Sequence, residues 1–358
     1  MTSIDAVSAA ADLDVDDLFG QYRTMFLIRR FEESAERQYK AARIGGYCHL
    51  SSGQEAATVG AVSALEEDDL LVTGYRCHGF ALARGVPADS VMAELFGRAH
   101  GCAHGRGGSM HLLDVSRGYY GGWGIVGGQL PIATGMALSL VRQGKQQAVL
   151  CELGDGAVNM GAWHESLNLA AVWNLPVVFM VINNQYGMGT SVERASAEPD
   201  IFRRASAYRI EGERVDGDDL EEVEWATARL LRAAREERRP AVLEALTYRF
   251  RGHSVADAGL AYRTREEIAE RREQDPLVRT RESLQARGVP PEGIDALEAE
   301  VEAEVEAAVA FADQDEAPPV DRLAAGVYAQ GSEEQFERMR PGSPSGEEEL
   351  VFAGGLGA

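Results

Sequence analysis

The segment Leu150-Cys151-Glu152-Leu153-Gly154-Asp155-Gly156 is followed, 29 positions after Asp155, by Asn184 in Val181-Ile182-Asn183-Asn184-Gln185. Residues 148–153 form a short apolar run closed by Gly-Asp-Gly, which predicts a buried strand and a tight turn. Residues 163–172 carry apolar side chains at helical spacing (Trp163, Leu167, Ala170, Ala171), and Asn174-Leu175-Pro176 stops that helix. Residues 177–182 are a second apolar, β-branched run. The result is a βαβ unit that puts Asp155 and Asn184 at the carboxyl ends of parallel strands, where open α/β sheets bind ligands. One carboxylate and one amide oxygen suit Mg²⁺, which takes oxygen ligands and keeps phosphate and water in its shell. Gly154 and Gly156 allow close backbone approach, and the N–H groups opening the next helix favour an anion. The rival reading makes Gly-Asp-Gly a plain turn, with Asp155 capping that helix. The Asn-Asn pair on the next strand end favours a magnesium–diphosphate site instead.

A chain of 358 residues, 45% apolar, buries one large α/β core or two modest ones. Its formal charge of −22 argues against nucleic-acid or anionic-membrane partners. No apolar run approaches the roughly 18 residues of a membrane span. The acidic start has no signal-peptide core, and the scattered Cys48, Cys77, Cys102 and Cys151 read as reduced thiols, so a cytoplasmic location is expected.

Residues 1–18 and 340–358 are expected to be disordered tails, with one domain over 19–335 between them. Within it, helices are predicted over 19–42, 130–142 and 219–235, strands over 70–72 and 241–247, and charged helices over 264–315. Ser52-Gly53-Gln54-Glu55 reads as a capping box. Ile294, Leu297, Val301, Val305 and Val309 form one apolar face, fit for the chain's own core or for a partner. Ten glycines from Gly101 to Gly128 suggest a functional loop. The overall expectation is an α/β fold with a mainly parallel sheet flanked by helices, and a helical C-terminal segment.

Gly154-Asp155-Gly156 with Asn183-Asn184 resembles the thiamine-diphosphate motif. Tyr75-Arg76-Cys77-His78-Gly79, Gly107-Gly108-Ser109-Met110-His111, Gly124-Ile125-Val126-Gly127, Tyr186-Gly187-Met188-Gly189 and Arg251-Gly252-His253-Ser254 stand around it in order. Together, over about residues 20–320, they resemble the alpha subunit of the thiamine-dependent component of 2-oxoacid dehydrogenase complexes. The resemblance implies thiamine diphosphate and Mg²⁺ as cofactors, with Asp155, Asn184 and the Tyr186 carbonyl as metal ligands. It places Gly156, Ala157, Tyr75 and Arg76 on the cofactor, and Gly124 and Val126 on its aminopyrimidine. It makes His253, beside the cofactor, and His49 the catalytic candidates; His78 lines the site or orders a loop. It also implies a separate beta subunit, in an assembly of two alpha and two beta chains, that supplies the activating glutamate. Glu55 is therefore not expected to do so. The acyl group would pass to a lipoyl domain of the dihydrolipoyl acyltransferase.

Within that family, Gln54 and His78 fit the pyruvate and acetoin groups better than the branched-chain one, and Tyr75 and the run from Gly187 to Arg194 favour pyruvate over acetoin. Ser191 and Ser254 match regulatory phosphorylation positions, but the third such position is Ala261, so kinase control is not expected. From other classes, a Mg²⁺-dependent phosphohydrolase would need more carboxylates at the metal. A non-catalytic Mg²⁺–diphosphate-binding module is the third reading. His100, Cys102, His104 and His111 do not have the spacing of a structural zinc site.

Overall fold

The computed structural model describes residues 13–320. Residues up to Ala317 form one compact unit, and the next begins at Pro318. The expected tail at 340–358, the domain end at 335 and residues 1–12 lie outside the described residues.

Six parallel strands form the main sheet: β1 (Leu70–Gly74), β2 (Tyr119–Trp123), β3 (Val149–Gly154), β4 (Val177–Asn183), β7 (Glu211–Asp216) and β8 (Ala241–Leu246). Their order across the sheet is β2-β1-β3-β4-β8-β7. On the far side the chain adds β4, then the β7 edge and last β8 between them; before that, it leaves β1 for the β2 edge and returns to β3. That reversal opens a crevice at the carboxyl ends of β1 and β3. A two-stranded hairpin, β5 (Tyr186–Gly187) and β6 (Thr190–Ser191), follows β4.

β4 is buried at every position and β3 at all but its last. Such strands are covered on both faces, which is why their sequences are continuous apolar runs. On one face pack α1 (Val15–Lys40), α2 (Glu55–Ser63), α3 (His78–Ala83), α4 (Ala88–Leu95), α8 (Leu220–Glu237), α10 (Pro276–Ala286) and α11 (Pro291–Gln314). On the other lie α5 (Gln129–Arg142) and α6 (Gly161–Trp173). A four-residue α7 (Val192–Ala195) and a surface α9 (Arg265–Arg272) complete the helices.

Several expectations change. α1 starts at Val15, so residues 13–18 are not a tail. Asp14 accepts from the Asp16 N–H at 2.9 Å, and Asp16 and Asp17 sit in the first turn, where negative charge is favoured. The Ser52 capping box does not form. Gln54 occupies the N-cap position of α2 without a side-chain bond. The Glu55 carboxylate is instead fully buried, accepting from Arg29 at 2.6 and 2.9 Å and from the Gly53 N–H at 2.9 Å. Asp155 does not cap a helix either. Residues Asp155–Asn159 make a 3₁₀ turn, and α6 opens only at Gly161 behind Met160. Two strands of the main sheet were not expected. β2 carries two glycines, and β7, at the sheet edge, is charged. The apolar face of α11 turns inward, with Ile294, Val301 and Val305 buried against α1 and α4.

Candidate active site

A cleft of about 940 Å³ runs along the carboxyl ends of β1, β2, β3, β4 and β8. All eleven residues singled out as metal, cofactor or catalytic candidates line it. His78 does not. It is fully buried, with Nδ1 2.8 Å from Glu32 Oε2 and Nε2 2.8 Å from Ser109 Oγ. It therefore ties α1 and α3 to the glycine-rich loop, the ordering role rather than the lining one.

At the β3–β4 end, Asn184 is oriented by Gln54, whose Oε1 accepts from Asn184 Nδ2 at 2.9 Å. That leaves Asn184 Oδ1 turned to Arg249, whose Nη1 donates to it at 2.7 Å and also donates to the Tyr186 carbonyl. The two oxygens thus converge on one positively charged nitrogen. Asp155 is close by: a Cβ added to Gly187 would lie 3.7 Å from Asp155 Oδ2. Burial pushes the Asp155 carboxyl up to about 6, against the pull of Arg249. The neighbouring Asn183 faces away, donating to the buried Glu244 at 2.6 Å, so only one of the two asparagines serves the cleft. Among the described residues no group of three His, Cys, Asp or Glu side chains is placed to hold a metal. That donor set does not suit two-metal hydrolysis.

Arg76 is buried, and its guanidinium donates to the Leu50 carbonyl at 2.5 Å and the His253 carbonyl at 2.9 Å. It thereby fixes the loop that carries His253. The Asp257 carboxylate supports the same loop, accepting from the His253 N–H at 2.7 Å and the Tyr262 hydroxyl at 2.6 Å. The ring centres of His49 and Tyr75 are 4.5 Å apart, and those of His49 and His253 are 5.0 Å apart. Burial, then the Arg76 charge, depresses His49 to about 3 and His253 to about 4, so both imidazoles are neutral at physiological pH. Neutral imidazole offers one N–H and one lone pair.

The glycine-rich stretch divides in two. Its later part, around Gly124 to Gly127, lines the cleft. Its earlier part is bound from behind: Glu94, fully buried on α4, accepts from the N–H groups of Ala103, Gly105, Gly107 and Gly108 at 2.7–3.0 Å. Those amides are satisfied by the chain's own carboxylate and do not cradle a ligand. A Cβ on Gly101 would come within 2.6 Å of the Glu94 Cα, so only glycine fits there. Sequence reasoning missed Glu94 and Arg249, and gave Gln54 no role in holding Asn184. Nothing local marks them, because each acts on residues distant in the chain.

The chain matches the family model described as dehydrogenase E1 component over residues 23–321. It is 44% identical over 315 residues to the pyruvate dehydrogenase E1 component subunit alpha of Rhizobium meliloti (strain 1021), covering 87% of this chain and 90% of that one. The somatic, mitochondrial form of the same subunit from Homo sapiens is 42% identical over 324 residues, covering 90% and 82%. The Rickettsia typhi subunit is 40% identical over 314 residues, covering 87% and 96%. Matched over most of its length by both the model and these relatives, the chain belongs to the dehydrogenase E1 component family.

Proposed function

We propose that this chain is the alpha subunit of a thiamine-diphosphate-dependent 2-oxoacid dehydrogenase that acts on pyruvate. The observation that carries the reading is the convergence of Asp155, Asn184 Oδ1 and the Tyr186 carbonyl at the ends of β3 and β4. The shared name of the relatives, pyruvate dehydrogenase E1 component subunit alpha, supports pyruvate as substrate.

The residues present fit a magnesium–diphosphate group. They are hard oxygen donors, one of them a buried carboxyl that a cation would relieve, and a guanidinium nitrogen already rests against two of them. Asp155, Asn184 and the Tyr186 carbonyl would hold Mg²⁺, with Gly156 and Ala157 against the diphosphate, Tyr75 and Arg76 beside the cofactor, and Gly124 and Val126 at its aminopyrimidine. Bound thiamine diphosphate supplies the electron sink for loss of CO₂ from a 2-oxoacid. Arg76 acts from behind, holding His253 in place through its carbonyl. His49 and His253 stabilise a developing substrate oxyanion or move a proton. His49 Nδ1 is buried and has no hydrogen-bond partner inside the chain.

A second chain completes the site. Tyr47, Ile125 and Met188, all on the cleft rim, are 65%, 74% and 65% exposed, apolar surface suited to a covering partner. On this reading two alpha and two beta chains assemble, the acyl group passes to a lipoyl domain, and the enzyme works in the cytoplasm. The test is ferricyanide reduction by the chain assembled with its cognate beta subunit, given thiamine diphosphate and Mg²⁺. Pyruvate-dependent turnover is expected. Turnover only with acetoin or a branched-chain 2-oxoacid changes the substrate, and turnover with none of them defeats the reading.

A further inference from the structure

His49 lies within residues 47–51, which take neither helix nor strand, so bonds to other elements set its place. Three anchors bracket it. The Cys48 carbonyl accepts from the Val255 N–H at 2.9 Å, and the Leu50 carbonyl accepts from Arg76. The third anchor is Glu32 on α1. Its Oε1 accepts from both the Ser51 N–H and the Ser51 hydroxyl, each at 2.8 Å.

Glu32 sits on the buried face of α1, one turn from Ile28 and Ala35, and is fully buried. A carboxylate there is costly to desolvate and is tolerated only with its oxygens bonded. Both are bonded: Oε2 lies 2.8 Å from His78 Nδ1, and His78 Nε2 in turn meets Ser109 Oγ. Burial pushes the Glu32 carboxyl up, but the bonds to His78 and Ser51 outweigh it and hold the group below its ordinary value. An ionised carboxylate only accepts, so both Ser51 donors and the His78 Nδ1–H are committed to it. Glu32 does not itself line the cleft. Two positions before each of its partners stands a residue that does: His49 before Ser51, and Arg76 before His78. Arg76 bonds back to the Leu50 carbonyl, so both routes meet on the segment that carries His49.

We infer that Glu32 is a positioning residue, which fixes the His49 imidazole against Tyr75 and His253 by clamping Ser51. The inference rests on the functional reading above for what His49 does, and on the bonds alone for where His49 stands.

The test uses the assembled alpha–beta complex. Glu32→Leu removes the clamp. Glu32→Gln keeps it, because the amide oxygen accepts from Ser51 and the amide nitrogen donates to His78, whose proton moves to Nε2. In pyruvate-dependent ferricyanide reduction, Glu32→Leu is expected to lower kcat about 10- to 100-fold, the scale of a catalytic group misplaced by an ångström, and Glu32→Gln to stay within about threefold of wild type. In a His49→Gln background, Glu32→Leu is expected to change kcat by less than about twofold, since nothing is left for it to position. Calorimetric affinity for thiamine diphosphate is expected to stay within about twofold, because Asp155 and Asn184 lie on other elements. Equal losses of kcat in both backgrounds, a loss shared by Glu32→Gln, an affinity loss as large as the loss of kcat, or no loss at all overturns the inference. Should Glu32→Leu fail to assemble, Ser51→Ala takes its place. It removes one of the two bonds, and a loss of about threefold is expected in the wild-type background alone. A wild-type complex that turns over no 2-oxoacid defeats the functional reading, and crystal structures of the variants then decide the clamp. A His49 ring displaced in Glu32→Leu and in place in Glu32→Gln upholds it; a ring that stands the same in both overturns it.

Discussion

Two glycine-rich stretches do opposite things, and only one of them lines the cleft. Around residues 101–108, glycine lets the backbone fold tightly over Glu94, whose carboxylate takes four N–H groups. Around Gly154-Asp155-Gly156 and Gly187, glycine keeps two backbones close while leaving the Asp155 carboxyl on the cleft. The first stretch is a wall stabilised from inside the protein. The second faces the ligand. Glycine density is the same signal in both, and what separates them is whether a buried acceptor already claims the amides. For the first stretch that acceptor lies on α4.

The contrast can be broken most sharply at Asp155. Asp155→Ala is expected to cost more than about 100-fold in thiamine diphosphate affinity, measured by calorimetry on the assembled complex, with the melting temperature kept or raised. The stability outcome follows from the carboxyl's burial, which disfavours its charged form. Glu94→Gln should do the reverse. It weakens several charge-assisted bonds at once and is expected to cost about 3 kcal/mol in denaturant unfolding, with a smaller effect on ligand affinity in the folded fraction. If Glu94→Gln instead spared stability and abolished binding, the loop would be a ligand cradle after all. Gln54→Leu removes the group that orients Asn184 and is expected to weaken Mg²⁺-dependent binding about tenfold.

The last prediction concerns pH. His49 and His253 are held below their ordinary value of about 6.5, chiefly by burial, so between pH 6.5 and about 4 the unfolded chain binds more protons than the folded one. Their contribution to stability is complete above pH 6.5 and is lost as pH falls through that window. Replacing both by glutamine should therefore flatten the loss of stability between pH 7 and 4.5, read from melting curves. An unchanged acid slope would mean that the pair is not buried as described.

The central βαβ unit was legible in the sequence because β3 and β4 are covered on both faces and so must be apolar throughout. Gly-Asp-Gly and Asn184 then fell at strand ends, and the family's other motifs converged on the same cleft. The sheet's edges were less legible. β2 was hidden by Gly121 and Gly122, which read as loop. β7 was hidden by its charges, which pair sideways: Arg229 with Glu211 and Glu213, and Arg214 with Glu244. The N-terminal acidic run read as a tail when it was a helix start with its cap. The site's supports were the hardest to see. Gln54 and Asn184 are 130 positions apart, and Arg249 and Asn184 are 65 apart, so no local pattern announces either pair. Glu55 shows how a local rule can mislead. Its capping-box spacing is real, yet the carboxylate is drawn away by Arg29, which also binds Asp275 on the approach to α10.

The claim that the β3–β4 end of the cleft holds a metal-bridged diphosphate is tested most directly by titrating thiamine diphosphate into the assembled complex with Mg²⁺ and again with the cation chelated. Saturable binding that requires the cation is expected, because Asp155, Asn184 Oδ1 and the Tyr186 carbonyl supply oxygens rather than positive charge. Equal affinity with and without the cation would contradict it.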